Sequence, residues 1–215
     1  MKYQSIIAAA FTVAVLGCSS ETQQTSDAEI PYYGEFTELI IEDDGTESID
    51  TTYRKLDNFA FINQDSQVVT AADFKGKIRV ADFFFTSCPT ICPDMKKQMM
   101  RIYQRFEDND RIALLSHSID TRNDSVPVLK KYADKMNISS SKWHLVTGDK
   151  KNIYNAAEQH MVPAQRDEKA PGGYLHSGQF ILIDGNHHIR GYYDGVKPKE
   201  VDQLMNDMER LLQEK

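Results

Sequence analysis

Phe84-Phe85-Thr86-Ser87-Cys88-Pro89-Thr90-Ile91-Cys92-Pro93-Asp94-Met95 carries two thiols four positions apart, where an apolar run gives way to a helical pattern. On a helical turn positions i and i+4 share a face, so both sulfurs can point at one guest. A helix start offers free backbone N–H groups and the positive end of the macrodipole, which stabilise a thiolate and lower its pKa. Such a pair either closes a disulfide or holds a soft metal ion as two thiolates. Pro89 and Pro93 each suit a first helical position. Pro93 there would make Cys92 the cap and leave Cys88 in the loop before it; the sequence does not choose. A purely structural disulfide is the weaker reading, because so small a ring constrains little of the unfolded chain.

Outward from this turn the pattern alternates. Ile78 to Phe85 is a continuous apolar-rich run, as expected of a central strand covered on both faces. Met95 to Phe106 has helical spacing, Arg111 to Ile119 reads as a strand and Val126 to Met136 as a helix. A short strand at Trp143 to Val146, a helix near Lys150 to Glu158 and a polar loop from Arg166 to Gly173 follow. Gln179 to Ile183 and His188 to Tyr193 form a hairpin about Asp184-Gly185-Asn186. The last helix opens at Pro198 and lines Val201, Leu204, Met205, Met208, Leu211 and Leu212 along one face, a core stripe rather than a methionine metal box. Before the dithiol, Phe36 to Ile41 and Ser48 to Tyr53 flank the turn signal Asp43-Asp44-Gly45-Thr46, and Phe59 to Ile62 adds a strand. This order predicts an α/β, thioredoxin-like fold: a central mixed sheet flanked by helices, with an N-terminal β-hairpin extension.

The 215 residues suit one domain plus an N-terminal extension, and 40% hydrophobic residues suffice for its core. The net charge of −7 comes without a basic stripe, which argues against a nucleic-acid partner. The acidic residues read as dispersed over a solvated surface.

Of three cysteines, Cys18 stands apart. It closes a segment with one Lys, an apolar run from Ile6 to Leu16 and a small residue, the pattern of a secretory signal. That run is too short for a spanning helix, which needs about 20 apolar residues. Val15-Leu16-Gly17-Cys18 resembles a bacterial lipobox, whose cysteine becomes the acylated first residue of the mature protein. The expected organisation is a lipoprotein signal peptide over 1–18 ending in lipidated Cys18, a flexible polar tether over 19–29 and a folded domain over 30–215. The lipid anchor implies membrane attachment in a bacterial cell envelope, facing the periplasm or extracytoplasmic side, where disulfides persist. There Cys88 and Cys92 oxidise unless a thiol reductant serves them or a metal occupies them.

A third ligand separates a metal site from a redox pair, and imidazole is a good third donor to a thiolate-bound Cu(I). Among six histidines, His117, His144 and His160 fall in predicted elements where packing accounts for them, and His187 and His188 read as exposed beside a hairpin turn. His176 differs, because it ends the polar loop and leads into the strand Gln179 to Ile183. In a thioredoxin-like fold that loop faces the dithiol, and a typical reductase carries a cis-proline there. Leu175-His176-Ser177-Gly178 has an imidazole instead, which favours a ligand.

Thr86-Ser87-Cys88-Pro89-Thr90-Ile91-Cys92-Pro93, with His176 lying 84 residues beyond Cys92, resembles the Sco/SenC family of copper-binding, thioredoxin-like assembly factors for cytochrome c oxidase. Phe74-Lys75-Gly76-Lys77 and Phe83-Phe84-Phe85 fit as well, and the likeness runs roughly from residue 55 to 213. The resemblance implies that the domain over 30–215 holds copper as Cu(I) through Cys88, Cys92 and His176, with Cu(II) also accessible. It implies a metallochaperone that delivers copper to the oxidase subunit carrying the dinuclear copper centre. The alternative is an enzyme, a thiol–disulfide reductase using Cys88 and Cys92 as a redox pair to keep that subunit's cysteines reduced. A redox or copper sensor is a third reading. Asp120 and Asp124 match a family segment that usually has proline where Thr121 stands, and are expected either at the partner surface, behind the ligands, or as plain helix caps before Val126.

Overall fold

The computed structural model describes residues 29–41, 44 and 46–214; Cys18, the signal segment and nearly all of the tether lie outside the described residues. The chain opens with the expected hairpin, β1 (Glu35–Ile41) and β2 (Glu47–Tyr53), paired antiparallel from Glu35↔Tyr53 to Ile41↔Glu47. Most of its predicted turn falls outside the described residues. A second hairpin, β3 (Ala60–Asn63) and β4 (Val68–Thr70), precedes β5 (Ile78–Phe84). Three strand–helix units follow: β5 with α1 (Cys92–Arg105), β6 (Ile112–Ser118) with α2 (Val126–Met136), and β7 (Trp143–Thr147) with α3 (Lys150–Gln159). A short pair, β8 (Ala164–Arg166) and β9 (Tyr174–His176), leads to β10 (Gln179–Ile183), β11 (Ile189–Asp194) and α4 (Pro198–Gln213).

Seven strands form one mixed sheet in the order β11-β10-β5-β6-β7-β3-β4. β5, β6 and β7 run parallel, and the flanking strands are antiparallel to their neighbours. β5 and β6 are buried at every position, which is why their sequences show no polar alternation. Their side chains still divide between two faces. Val80, Phe84 and Leu114 pack with Met99, Leu129 and Leu204 from α1, α2 and α4. Ala81, Phe83 and Leu115 pack with Ile153 and Ala157 from α3. A fully buried Leu or Phe contributes about 1.5–3 kcal/mol, so this two-sided core holds β5, and with it the dithiol turn, firmly in place.

A buried arginine holds the first of the described residues. The Arg190 guanidinium donates to the carbonyl oxygens of Ile30 and Pro31, pairs with Asp184 and Glu214, and lies 4.0 Å over the Tyr32 ring.

The predicted elements are found with small shifts, and two differences are informative. β4, β8 and β9 span three residues each, too few to show a period. His187 and His188, read as exposed, are half-buried: His187 Nδ1 lies 2.9 Å from Arg79 Nη1, and His188 packs edge-on against Tyr32. The buried Arg79 needs acceptors, and the turn supplies one.

Candidate metal centre

Cys92 is the first residue of α1, Pro93 fills the second position, and Ile91 caps the helix through its backbone alone. Cys92 is therefore inside the first turn rather than at the cap, because Pro93 suits any early position lacking an intrahelical N–H partner. Cys88 sits in the preceding loop, its N–H donating to the Phe85 carbonyl at 3.2 Å. His176 ends β9, whose pairing partner there is Ala164, and the next N–H, of Ser177, donates to Pro163. The loop before β9 closes over the dithiol turn at Gly172, which has φ 75°. A Cβ there would stand 2.8 Å from the Phe85 ring and 3.1 Å from Pro89 Cδ, so glycine is required twice over.

These elements bring three donors together. His176 Nε2 lies 3.5 Å from Cys92 Sγ and 3.8 Å from Cys88 Sγ, and all three atoms fall within 4.8 Å of one another. Both cysteines are free thiols. His176 Nδ1 lies 3.0 Å from the Ser177 carbonyl oxygen, which only accepts, so Nδ1 carries a proton and Nε2 is the atom that faces the sulfurs: as N–H it donates to a thiolate, and as a lone pair it can take a metal. The Phe85 ring stands edge-on to the imidazole at 5.6 Å and fixes its plane.

The two thiols are not equivalent. Burial opposes ionisation of Cys88, but hydrogen bonds from His176 and from the backbone N–H groups of Thr90 and Cys92 outweigh it and bring its pKa down to about 6. Burial pushes the Cys92 thiol up. Alkylation of the reduced, metal-free protein should thus occur first at the half-buried Cys88, with a rate that rises through pH 6 and levels off above it. Peptide mapping after brief iodoacetamide treatment checks this, and preferential labelling of Cys92 would contradict it.

Asp120 and Asp124 lie behind the two ligand-bearing loops. Asp124 accepts from the backbone N–H of Thr86 at 2.9 Å and from the hydroxyls of Thr86 and Ser118, and so holds the turn after β5 two residues before Cys88. Asp120 accepts from the Tyr174 hydroxyl at 2.7 Å and from Asn123 at 2.7 Å. Neither caps α2, whose N-cap is Ser125, because both carboxylates are engaged elsewhere. His117 and His160 are buried in the core, and His144 lies on β7 near Asn63; none approaches the sulfurs.

Sequence reasoning overlooked Asp82. It lines, with Cys92, Met95, Met99 and Trp143, a small cavity of about 20 Å³ behind the dithiol, room for one water molecule. Its Oδ1 has no hydrogen-bond partner among the described residues, and burial pushes its pKa up to about 6 against the hydrogen bond from Ser116. The signal was present as a lone carboxylate inside the apolar run Ile78 to Phe85. Tyr174, which ties the His176 strand to Asp120, had no signal of its own.

With this geometry in hand, the likenesses to known proteins are consistent. A family model described as SCO1/SenC matches residues 48–213. The SCO1 protein homolog of Bacillus subtilis is 28% identical over 156 residues, which cover 72% of this chain and 81% of that protein. The solved structure of a SCO1/SenC family lipoprotein from Bacillus anthracis shares 31% identity and a TM-score of 0.67, covering 74% of this chain and 95% of that one. Arabidopsis thaliana ScoI, solved with copper bound, shares the fold at 24% identity and a TM-score of 0.60 over 72% of this chain and 96% of its own. The match over most of the chain, on a mixed thioredoxin-like sheet carrying two thiols and an imidazole, shows that the chain belongs to the SCO1/SenC family.

Proposed function

We propose that this chain is a copper metallochaperone that holds Cu(I) through Cys88, Cys92 and His176, with Cu(II) also accessible, and passes it to the copper-accepting subunit of cytochrome c oxidase. The observation that carries the reading is the convergence of two sulfurs and an imidazole Nε2 whose other nitrogen is already committed to Ser177. Soft thiolates with one imidazole suit monovalent copper better than hard cations. Relatives support the choice, among them Arabidopsis thaliana ScoI, solved with copper bound. Transfer proceeds by ligand exchange: incoming thiolates of the acceptor take the copper as His176 lets go first. Lipidated Cys18 would tether the domain, through residues 19–29, to an extracytoplasmic membrane face; among the described residues no helix is long and apolar enough to cross a membrane.

The contrast between the two thiols favours a second activity, reduction of the acceptor's disulfide. Cys88 thiolate attacks one sulfur of that disulfide, expelling the other as a thiol, and Cys92 then resolves the mixed bond, leaving Cys88–Cys92 oxidised and the acceptor reduced. A thiol reductant must regenerate the pair.

Anaerobic titration of the reduced protein with Cu(I), against a chromophoric chelator, tests the primary reading. One equivalent should bind tightly, and Cys88→Ser should abolish competition with the chelator. Tight binding that survives Cys88→Ser would leave only the reductase reading standing.

A further inference from the structure

The net charge of the chain is not dispersed. Between Glu35 and Tyr53 stand seven Asp and Glu residues and no Lys, Arg or His, a charge equal to the −7 of the entire chain. This segment is the hairpin β1–β2, a sheet of two strands separate from the main one. All seven residues of β1 are exposed, and so are the first six of β2. Its root is fixed: Arg54 N–H donates to the Gly34 carbonyl, Tyr33 N–H donates to Ile189, and Arg54 covers the Phe36 ring at 5.2 Å.

An exposed acidic hairpin would ordinarily be polar throughout, but this one is not. Leu39 and Ile49 face each other across the ladder, and Ile41 lies two positions on along the same face. They are 60%, 73% and 66% exposed, which leaves a contiguous aliphatic surface in water. Each strand also has an outer edge of N–H and C=O groups with no strand beside it among the described residues. Proteins usually guard such edges with lysine, proline or a covering element. Here the guard is a single sign of charge, which repels like surfaces and admits opposite ones.

We infer that β1–β2 is a docking strand for a basic partner: an extended segment alternating apolar side chains with Lys or Arg adds to a hairpin edge, its apolar side on Leu39, Ile41 and Ile49. Backbone hydrogen bonds supply the affinity of such strand addition and side-chain alternation supplies the register. A second copy of this chain is disfavoured because two such hairpins repel. An anionic lipid surface is disfavoured on the same ground.

The probe is a capped peptide of about eight residues alternating valine and lysine, titrated into the reduced full chain and followed by amide chemical shifts. Two controls accompany it: alternating valine and glutamate, and a lysine peptide of equal charge with glycine and serine in place of valine. Shifts should concentrate in 35–53 for the valine–lysine peptide alone, and its binding should weaken at least about tenfold between low and high salt. Leu39→Ser/Ile49→Ser, which keeps every charge, should abolish binding, and so should Glu38→Lys/Asp50→Lys. Both variants should take up one Cu(I) as the parent does, which separates a failed docking surface from a failed metal site or fold. Equal binding of the glycine–serine peptide, or undiminished binding by Leu39→Ser/Ile49→Ser, would reduce the effect to bulk charge and overturn the proposal. Hairpin-dependent dimerisation, or hairpin-dependent adhesion to vesicles containing phosphatidylglycerol, would overturn it in favour of those occupants.

Discussion

His176→Ala is expected to weaken Cu(I) binding by about a hundredfold or more, roughly 2.7 kcal/mol. Removing a group that merely orients a ligand costs about 10- to 100-fold, and His176 is argued to be a ligand itself, so the upper end is the floor. The variant should keep its fold, because the ring is half-buried and sits on a three-residue strand outside the main sheet. A second effect has a different cause. The hydrogen bond from Nε2 helps hold Cys88 near pKa 6; without it, the pH at which alkylation of Cys88 levels off should move upward. His176→Met should recover part of the Cu(I) affinity, since a thioether suits the monovalent ion, without restoring the low Cys88 pKa. Competition titration measures the first effect and a pH series of alkylation rates the second. An affinity within threefold of the parent would remove His176 from the metal site and leave a bare dithiol.

Asp124→Ala should be the costliest single change near the site. The carboxylate is 1% exposed and accepts from three donors, two of them on Thr86. Hydrogen bonds to a charged acceptor are worth about 1.5–3 kcal/mol each, and deleting the acceptor strands the donors in the interior. Because the three losses overlap, the net cost is about 3–5 kcal/mol, or a fall in melting temperature of about 10 °C for a domain of this size. Copper affinity should fall as well, since Thr86 then no longer fixes the approach to Cys88. Asp120→Ala should cost less, because its two partners, half-buried Tyr174 on the short strand β9 and exposed Asn123 in a turn, can direct their groups toward water. A melting temperature for Asp124→Ala within 2 °C of the parent would show that Thr86 and Ser118 find other acceptors.

What could be read in the chain beforehand follows a physical line. β5 was legible because a strand covered on both faces must be apolar at nearly every position. α2 was legible to the residue because Pro127 and the apolar period of Leu129 and Ala133 mark its first turn and its buried side. The meeting of Cys88 and Cys92 with His176 has no local signature across 84 residues; it came from the order of elements. The partners of Asp120 and Asp124 were illegible for that same reason, since Tyr174 and Thr86 lie 54 and 38 residues away. Asp82 was visible as an oddity, but only the cavity beside Cys92 shows what it adjoins. His187 reads as exposed from its turn, and no sequence rule announces a buried arginine beneath it.

The imidazole and the sulfurs stand on foundations of very different stiffness. Cys92 is built into a fourteen-residue helix packed on the sheet, whereas His176 rides on β8–β9, three residues against three, outside that sheet. So short a ladder opens far more cheaply than the core beneath the thiols. How long a cargo stays and how tightly it is held are thereby set by different parts of the chain. Changes in the Asp167–Gly173 connection can quicken or slow release while every donor atom remains as it is.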